Sequence, residues 1–284
     1  MVYCCHEMNG GIAVVKVTVL CENVQGNDKV RAEHGLSLYI EACGKRILFD
    51  MGQSGLFAEN ASSLGIDLSS VDAAVLSHGH YDHGGGISTF LKLNKTAPIY
   101  VHPLAFGEYY SGKEKYIGLD GSLRGCERLI FTDHVTELFE GIMLVAPNES
   151  ELPSPAETHG LYMRTEGDLI PDKFLHEQYL IIYDGETKTV ISGCSHRGIA
   201  NIAAYFDADL LIGGFHLKKL DVKRDSDLLS DLAYKLLFKK TKYLTCHCTG
   251  EEQYQYMKNR MGESLHYLAC GDVIEIKEKN YAKL

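Results

Sequence analysis

The sequence predicts an α/β protein in which two mixed sheets face each other and helices cover their outer surfaces, an αββα sandwich. Three observations carry this: β-type runs cluster near the start, a second cluster follows in the middle, and helix-type patterns come after each cluster. Residues Ile12 to Glu22 alternate and are rich in Val, and the apolar runs Leu36 to Ala42 and Lys45 to Asp50 meet at Cys43-Gly44, a hairpin signal. Asp72 to Ser77 is a short buried-strand pattern. Gly84-Gly85-Gly86 then leads into a helix through Phe90 and Leu91, and Pro98 to His102 reads as another strand. Residues 106–155 are irregular, with tyrosines, glycines and the cations Lys113, Lys115, Arg124 and Arg128, and are expected to form a lid or insertion. The second strand group comprises Gly160 to Thr165, Gln178 to Asp184 and Thr187 to Ser192, the last two joined through Asp184-Gly185-Glu186. Beyond Ser195, helical Ile199 to Phe206, Ser226 to Lys239 and Glu251 to Met261 alternate with strands at Ala208 to Gly213, Lys242 to Cys246 and near Val273. Leu228, Leu232 and Leu236 are expected to share the buried face of their helix.

With 284 residues, 45% of them hydrophobic and 23% charged, the chain can bury a sizeable core without staples, and residues 1–284 are expected to form one domain. A net charge of −10 argues against a general nucleic-acid binder, which needs a clustered positive surface. No apolar run approaches the roughly 20 residues that span a bilayer, and no basic-then-apolar leader opens the sequence, so no membrane partner and a cytoplasmic location are expected. Nine cysteines, at 4, 5, 21, 43, 126, 194, 246, 248 and 270, lack the spacing of a disulfide framework and are expected to be mostly reduced and buried. Cys246 and Cys248 flank His247, but alternate residues of an extended chain diverge from their middle neighbour, which disfavours a shared metal.

The densest chemistry lies in Ser77-His78-Gly79-His80-Tyr81-Asp82-His83. Four ligand-type side chains within six residues, leaving an apolar strand and followed by three glycines, suit one or two divalent ions. Neutral imidazoles favour zinc first, with manganese, iron and magnesium as alternatives, and the carboxylate compensates charge. His6, His102, His134, His159, His176 and His266 stand without ligand-type neighbours and are read as surface or core residues.

This segment resembles the His-x-His-x-Asp-His signature of the metallo-β-lactamase superfamily. Glu33-His34-Gly35-Leu36-Ser37, Leu48-Phe49-Asp50-Met51-Gly52, Leu64-Gly65-Ile66-Asp67, Gly193-Cys194-Ser195-His196, Gly213-Gly214-Phe215-His216-Leu217 and Cys246-His247-Cys248-Thr249-Gly250 extend the resemblance to its dihydropterin-methyl aminobenzene phosphate synthase subfamily. The resemblance implies the αββα fold of the metallo-β-lactamase type. It also implies that His78 and His80 share one metal with a third histidine, and that Asp82 and His83 share another with a histidine nearer the C-terminus, His196 and His247 being the candidates. Asp50 would orient ligand imidazoles from behind. Asp82 and His216 are the catalytic candidates, and His34, Ser195, Arg197 and Thr249 the substrate-binding ones. Many relatives bridge two metals with an aspartate where this sequence reads Gly193-Cys194-Ser195-His196, so one ion or two remains open.

Such a centre makes hydrolysis of a phosphorylated or ester-type small molecule the default reaction. Transfer of a dihydropterin-methyl group with displacement of diphosphate is the alternative that the resemblance implies, and a diiron redox or metal-sensing protein is a further one. An anionic substrate is expected because the turns after His196 and after Thr249 run into helices whose N–H groups favour anions, with Thr249 and Glu252 spaced as a capping box. An oligomer is compatible with all of these readings.

Overall fold

The computed structural model describes residues 15–277 and 279–284; the expected start of the first strand, and Cys4, Cys5 and His6, lie outside them. Eight strands form one sheet, in the order Asn280–Lys283, Val273–Lys277, Val15–Cys21, Ser37–Ala42, Lys45–Phe49, Ala73–Val75, Ile99–Val101 and Leu129–Phe131. Seven form the other, in the order Leu265–Tyr267, Lys242–Thr245, Leu210–Gly213, Thr187–Ile191, Tyr179–Asp184, Ile142–Val145 and Val135–Phe139. Each sheet is antiparallel on one side and parallel on the other.

The period-2 geometry of a strand explains the layering. Ile47 and Phe49, Leu180 and Ile182, and Leu210 and Ile212 meet in the apolar layer between the sheets. Their alternates point outward: Leu48 packs with Phe57, Ala61 and Phe90, while Tyr179, Ile181 and Leu211 pack under the helices of the other side. Helices Leu56–Ser63 and Ile87–Leu93 cover the first sheet, and Ile199–Phe206, Ser226–Leu237 and Glu251–Met261 the second. Both tight hairpins form, with Ala42 opposite Lys45 and Asp184 opposite Thr187. In Ser226–Leu237 the buried stripe is Leu229, Ala233 and Leu236, whereas Leu228 is exposed, so the expected face is rotated by about one residue. Packing against Ile202 and Tyr243 selects that stripe over the leucine spacing.

Residues 106–155 spread over three sheets. Glu108–Ser111 and Lys115–Tyr116 pair with Leu161–Thr165 and Asp168–Pro171 in a separate four-stranded sheet, but Leu129–Phe131 and the hairpin Val135–Phe139 with Ile142–Val145 extend the two main sheets. The small sheet rests on Tyr109, Ile117, Leu161 and Phe174. No helix among the described residues is long and apolar enough to cross a membrane.

One fully buried amide fastens the two main sheets where the histidine loop begins. Gln178 donates from Nε2 to the Leu76 carbonyl at 2.8 Å and accepts from the Thr132 hydroxyl at 2.7 Å, while its backbone N–H donates to Ser77 O. Replacing it strands buried polar groups on both sides. Gln178→Leu should lower stability by about 1–3 kcal/mol, read as a reduced urea midpoint of the metal-free protein; an unchanged midpoint would show that the sheets register without this amide.

Candidate metal centre

His78 to His83 follow the C-terminal end of the Ala73–Val75 strand and turn into the single helical turn Tyr81–Gly84. Gly79 makes that turn fit: a Cβ there would lie 2.0 Å from the Ala105 carbonyl oxygen, so no other residue is accommodated without moving backbone. Gly193 plays the same part from the opposite sheet, where a Cβ would meet Ser77 Oγ at 2.2 Å. The two strand ends are therefore in direct contact. Asp50, Ser195, His216 and His247 all take left-handed backbone angles at the corners that deliver their side chains, with φ of 58°, 55°, 54° and 52°.

A chain of hydrogen bonds fixes which nitrogen of each ring faces inward. The wholly buried Asp50 carboxylate accepts from Ser77 N at 2.7 Å, from Ser77 Oγ at 2.7 Å and from His83 Nδ1 at 2.6 Å. The Ser77 hydroxyl, its proton committed to Asp50, accepts from His78 Nδ1 at 2.8 Å. His247 Nδ1 donates to Asn23 Oδ1 at 2.8 Å, and its backbone N–H donates to Glu22 at 2.5 Å. The Nε2 atoms of His78, His83 and His247 consequently present lone pairs to the interior. His34 accepts from the Asn23 amide on Nδ1, which leaves its Nε2–H facing Asp82 Oδ2 at 3.1 Å.

The inward atoms converge, and several of them find no hydrogen-bond partner. Ligand atoms of His78, His80 and His196 lie within 4.8 Å of one another, as do those of Asp82, His83 and His247. His78 Nε2 and His196 Nε2 stand 3.2 Å apart. Buried His80 Nε2, His196 Nδ1, His247 Nε2 and both nitrogens of His216 have no hydrogen-bond partner. Leaving such groups unpaired costs stability, and a divalent ion accepting their lone pairs removes that cost, so the donor set fits a metal. Burial, then neighbouring imidazoles, hold His78 and His196 well below the ordinary histidine range. Burial likewise depresses His80 and His216 to about 3 and His247 to about 4. These rings are neutral and ready to ligate near neutrality. Burial opposes the charge of Asp82, yet His83, His247 and His34 hold its carboxyl well below the usual range.

Other residues singled out from the sequence take different places. His176 accepts from Gly79 N and donates to Asp172, so both its nitrogens are spoken for and it braces the loop from the core. Ser195 pairs with Ser192, away from the cleft. Thr249 accepts from Phe215 N and bonds Thr245, which anchors the His216 corner and leaves no hydroxyl for substrate. The expected capping box is absent, because Gly250 is the N-cap of Glu251–Met261. Arg197 donates to the Pro147 carbonyl and lines a neighbouring cavity of about 320 Å³ that holds none of the convergent histidines. Backbone donors near these turns are also taken from within. Glu177 accepts from His196 N, Arg197 N and the Tyr179 hydroxyl, and Glu22 accepts from His247 N and the Tyr267 hydroxyl. An internal carboxylate thus takes the backbone donors of the turn at His196, while Glu22 holds the N–H of His247, ahead of the turn after Thr249.

Asn23, Ser77, Glu22 and Glu177 carry the site without having been assigned a role from the sequence, since lone polar residues at strand ends give no periodic signal. The cleft over the histidines, about 180 Å³, is instead rimmed by Lys115 from the small sheet and by Lys218 and Lys219 after His216. Cys246 sits in the core between the sheets while Cys248 lies near Cys194 and His216, so the two thiols do part, but the cause is the turn His247–Thr249 and not extended-chain alternation, which would have put them on one face. Among the described residues Cys21, Cys126, Cys194, Cys246, Cys248 and Cys270 are free thiols, all but Cys126 buried.

Because Asp50 sets the His83 tautomer, Asp50→Asn should weaken metal affinity by about 10- to 100-fold, measured by competition with a chromophoric chelator; equal affinity would show that His83 is held by packing alone. The depressed histidines also set an acid limit. Between the ordinary value of 6.5 and the value of about 4 at His247, the unfolded chain binds protons that the folded chain refuses, so metal-free protein should lose stability as pH falls through that window. Urea midpoints measured from pH 7 to pH 4 test this, and a flat profile would show that the rings are not desolvated.

Residues 30–238 match the family model of the metallo-beta-lactamase superfamily. The chain is 31% identical, over 94% of its length and 98% of the relative's, to 7,8-dihydropterin-6-methyl-4-(beta-D-ribofuranosyl)-aminobenzene-5'-phosphate synthase of Methanocaldococcus jannaschii. Among solved structures it resembles Tm1679, described as a metal-dependent hydrolase of the beta-lactamase superfamily, with a TM-score of 0.78 and 29% identity over 93% of this chain and 100% of that one. Zinc-bound PqqB of Methylobacterium extorquens shares the fold at a TM-score of 0.55 and 13% identity, over 91% and 99% of the two chains. The family match, the αββα architecture and the histidine loop at the strand ends agree: the chain belongs to the metallo-β-lactamase superfamily.

Proposed function

We propose that this protein is a metal-dependent hydrolase of a small phosphorylated or ester-type anion, with His78, His80 and His196 as one ligand triad and Asp82, His83 and His247 as the other. The observation that carries the reading is the convergence of six ligand-type side chains, three of which, His83, His78 and His247, have their outer nitrogens already tied to Asp50, Ser77 and Asn23. A divalent ion held there supplies Lewis-acid polarisation of a substrate oxygen and makes water more acidic. The chain's own residues do the rest. Lys115, Lys218 and Lys219 place positive charge at the mouth of an acidic protein, which recruits an anion locally. His216 offers two unpartnered nitrogens in the same cleft and, as a neutral ring, is placed to orient the attacking water or a substrate oxygen by hydrogen bonding. His34 holds Asp82 from the solvent side.

Group transfer is the second reading, favoured by the 31% identity to a protein named as a dihydropterin-methyl aminobenzene phosphate synthase. In that case the small sheet above the cleft would keep water from the reacting carbon. Zinc-loaded protein offered phosphomonoesters, phosphodiesters, thioesters and lactones in ¹⁸O-labelled water separates the two. Label in the cleaved product supports hydrolysis, while turnover only with an added aromatic amine and a dihydropterin diphosphate, without label, supports transfer. No turnover in either format would overturn both.

His80→Ala should remove most bound metal, and His247→Ala should remove one equivalent selectively, both read by elemental analysis after gel filtration; full occupancy in both variants would refute the ligand assignment. The Lys218→Ala, Lys219→Ala double variant should raise KM for a phosphorylated substrate about 10-fold or more with kcat nearly unchanged. Inorganic diphosphate should compete at concentrations where chloride does not, and an unchanged KM together with no diphosphate inhibition would refute the anionic substrate.

A further inference from the structure

The residue standing where a bridging aspartate was missing from the sequence pattern is Cys194, and the structure gives it a location of its own. Its Sγ lies 3.1 Å from His83 Nε2 and groups with ligand atoms of both His78 and His83 within 4.8 Å. His78 belongs to one triad and His83 to the other, so the sulfur lies between a member of each. The side chain is 3% exposed, and its turn is pressed against Ser77 by Gly193. Nearby Cys248 is different: its thiol is directed at the Cys194 carbonyl oxygen at 3.5 Å.

Resting on the two-triad reading above, we propose that Cys194 is a thiolate ligand shared by the two metal positions, and that its sulfur biases the centre toward zinc or ferrous iron over magnesium and manganese. Two divalent ions among five neutral imidazoles and one carboxylate carry a large uncompensated charge, and the thiolate reduces it by adding a second negative donor. Ligation exchanges the S–H proton, released to solvent, for metal–sulfur bonds. A metal–sulfur distance of about 2.3 Å, longer than the roughly 2.0–2.2 Å to oxygen, lets one sulfur atom reach ions that a carboxylate would bridge with two oxygens. Soft sulfur discriminates against hard cations, which the imidazoles alone do weakly.

The metal-free protein reconstituted with cobalt(II) tests this optically. Wild-type and Cys248→Ser proteins should both show an intense sulfur-to-cobalt charge-transfer band in the near ultraviolet, and Cys194→Ser should lack it. Cys194→Asp should bind two equivalents without the band and should lose at least 10-fold of the wild-type preference for zinc over manganese. X-ray absorption of the zinc-loaded wild-type protein, which needs no variant to fold, should show a sulfur neighbour. If cobalt binds with no charge-transfer band and zinc shows only nitrogen and oxygen neighbours, the thiolate proposal falls while the triads stand. Loss of the band in Cys248→Ser with retention in Cys194→Ser would also overturn it, and failure of the wild-type protein to bind cobalt or zinc would overturn both readings.

Discussion

The Asp50 carboxylate organises the centre by accepting three hydrogen bonds, two from Ser77 and one from His83, in a place sealed from water. A charge in that setting is costly unless every lone-pair direction is used, and here the backbone, a hydroxyl and an imidazole use them. Each contact then dictates the next. With its proton directed to Asp50, the Ser77 hydroxyl can only accept from His78, and with their Nδ1 protons so placed, His78 and His83 both aim bare Nε2 atoms inward. Metal-binding capacity is thus decided one layer behind the ligands, on a strand end 27 residues before the loop it controls.

Helix starts are favourable anion sites because their N–H groups are unsatisfied, but the argument holds only while nothing inside the protein satisfies them first. Glu177 shows that outcome at the turn after His196, and Glu22 takes the N–H of His247 in the turn before the last helix. Burial pushes both carboxyls up, against the pull of the N–H and hydroxyl donors around them. Each lashes the loop carrying a candidate ligand, His196 or His247, to another strand end. The backbone donors work on the protein itself, and the positive charge at the cleft comes from lysines on its rim.

Fold and centre were legible to different degrees for identifiable reasons. Strands such as Lys45–Phe49 and Tyr179–Asp184 announce themselves because their buried stretches are runs of apolar and β-branched residues. His78, His80, Asp82 and His83 were visible because four ligand types crowd one loop. His196 and His247 came with the family resemblance, since each is a single residue at a distant strand end. Arg197 and Thr249 misled because cationic and hydroxyl side chains look alike on paper whether they meet substrate, as expected, or a carbonyl and a backbone amide, as they do. The roles of Asn23 and Cys194 depend on which strand ends become neighbours, and that is a property of topology rather than of any local pattern.

The left-handed corners at Asp50, Ser195, His216 and His247 have a bearing on how the protein fares inside a cell. A residue with a Cβ held in that conformation costs on the order of 1–2 kcal/mol, and four of them stand at the strand ends that carry the histidine cluster, alongside buried nitrogens that lack partners. An ion that binds the folded chain and not the unfolded one offsets this burden by mass action, in proportion to the logarithm of its free concentration. The fraction of chains exposed to proteases therefore rises as the ion becomes scarce. With a metal bound there, the strained corners would tie the protein's persistence, and not its chemistry alone, to the supply of that ion.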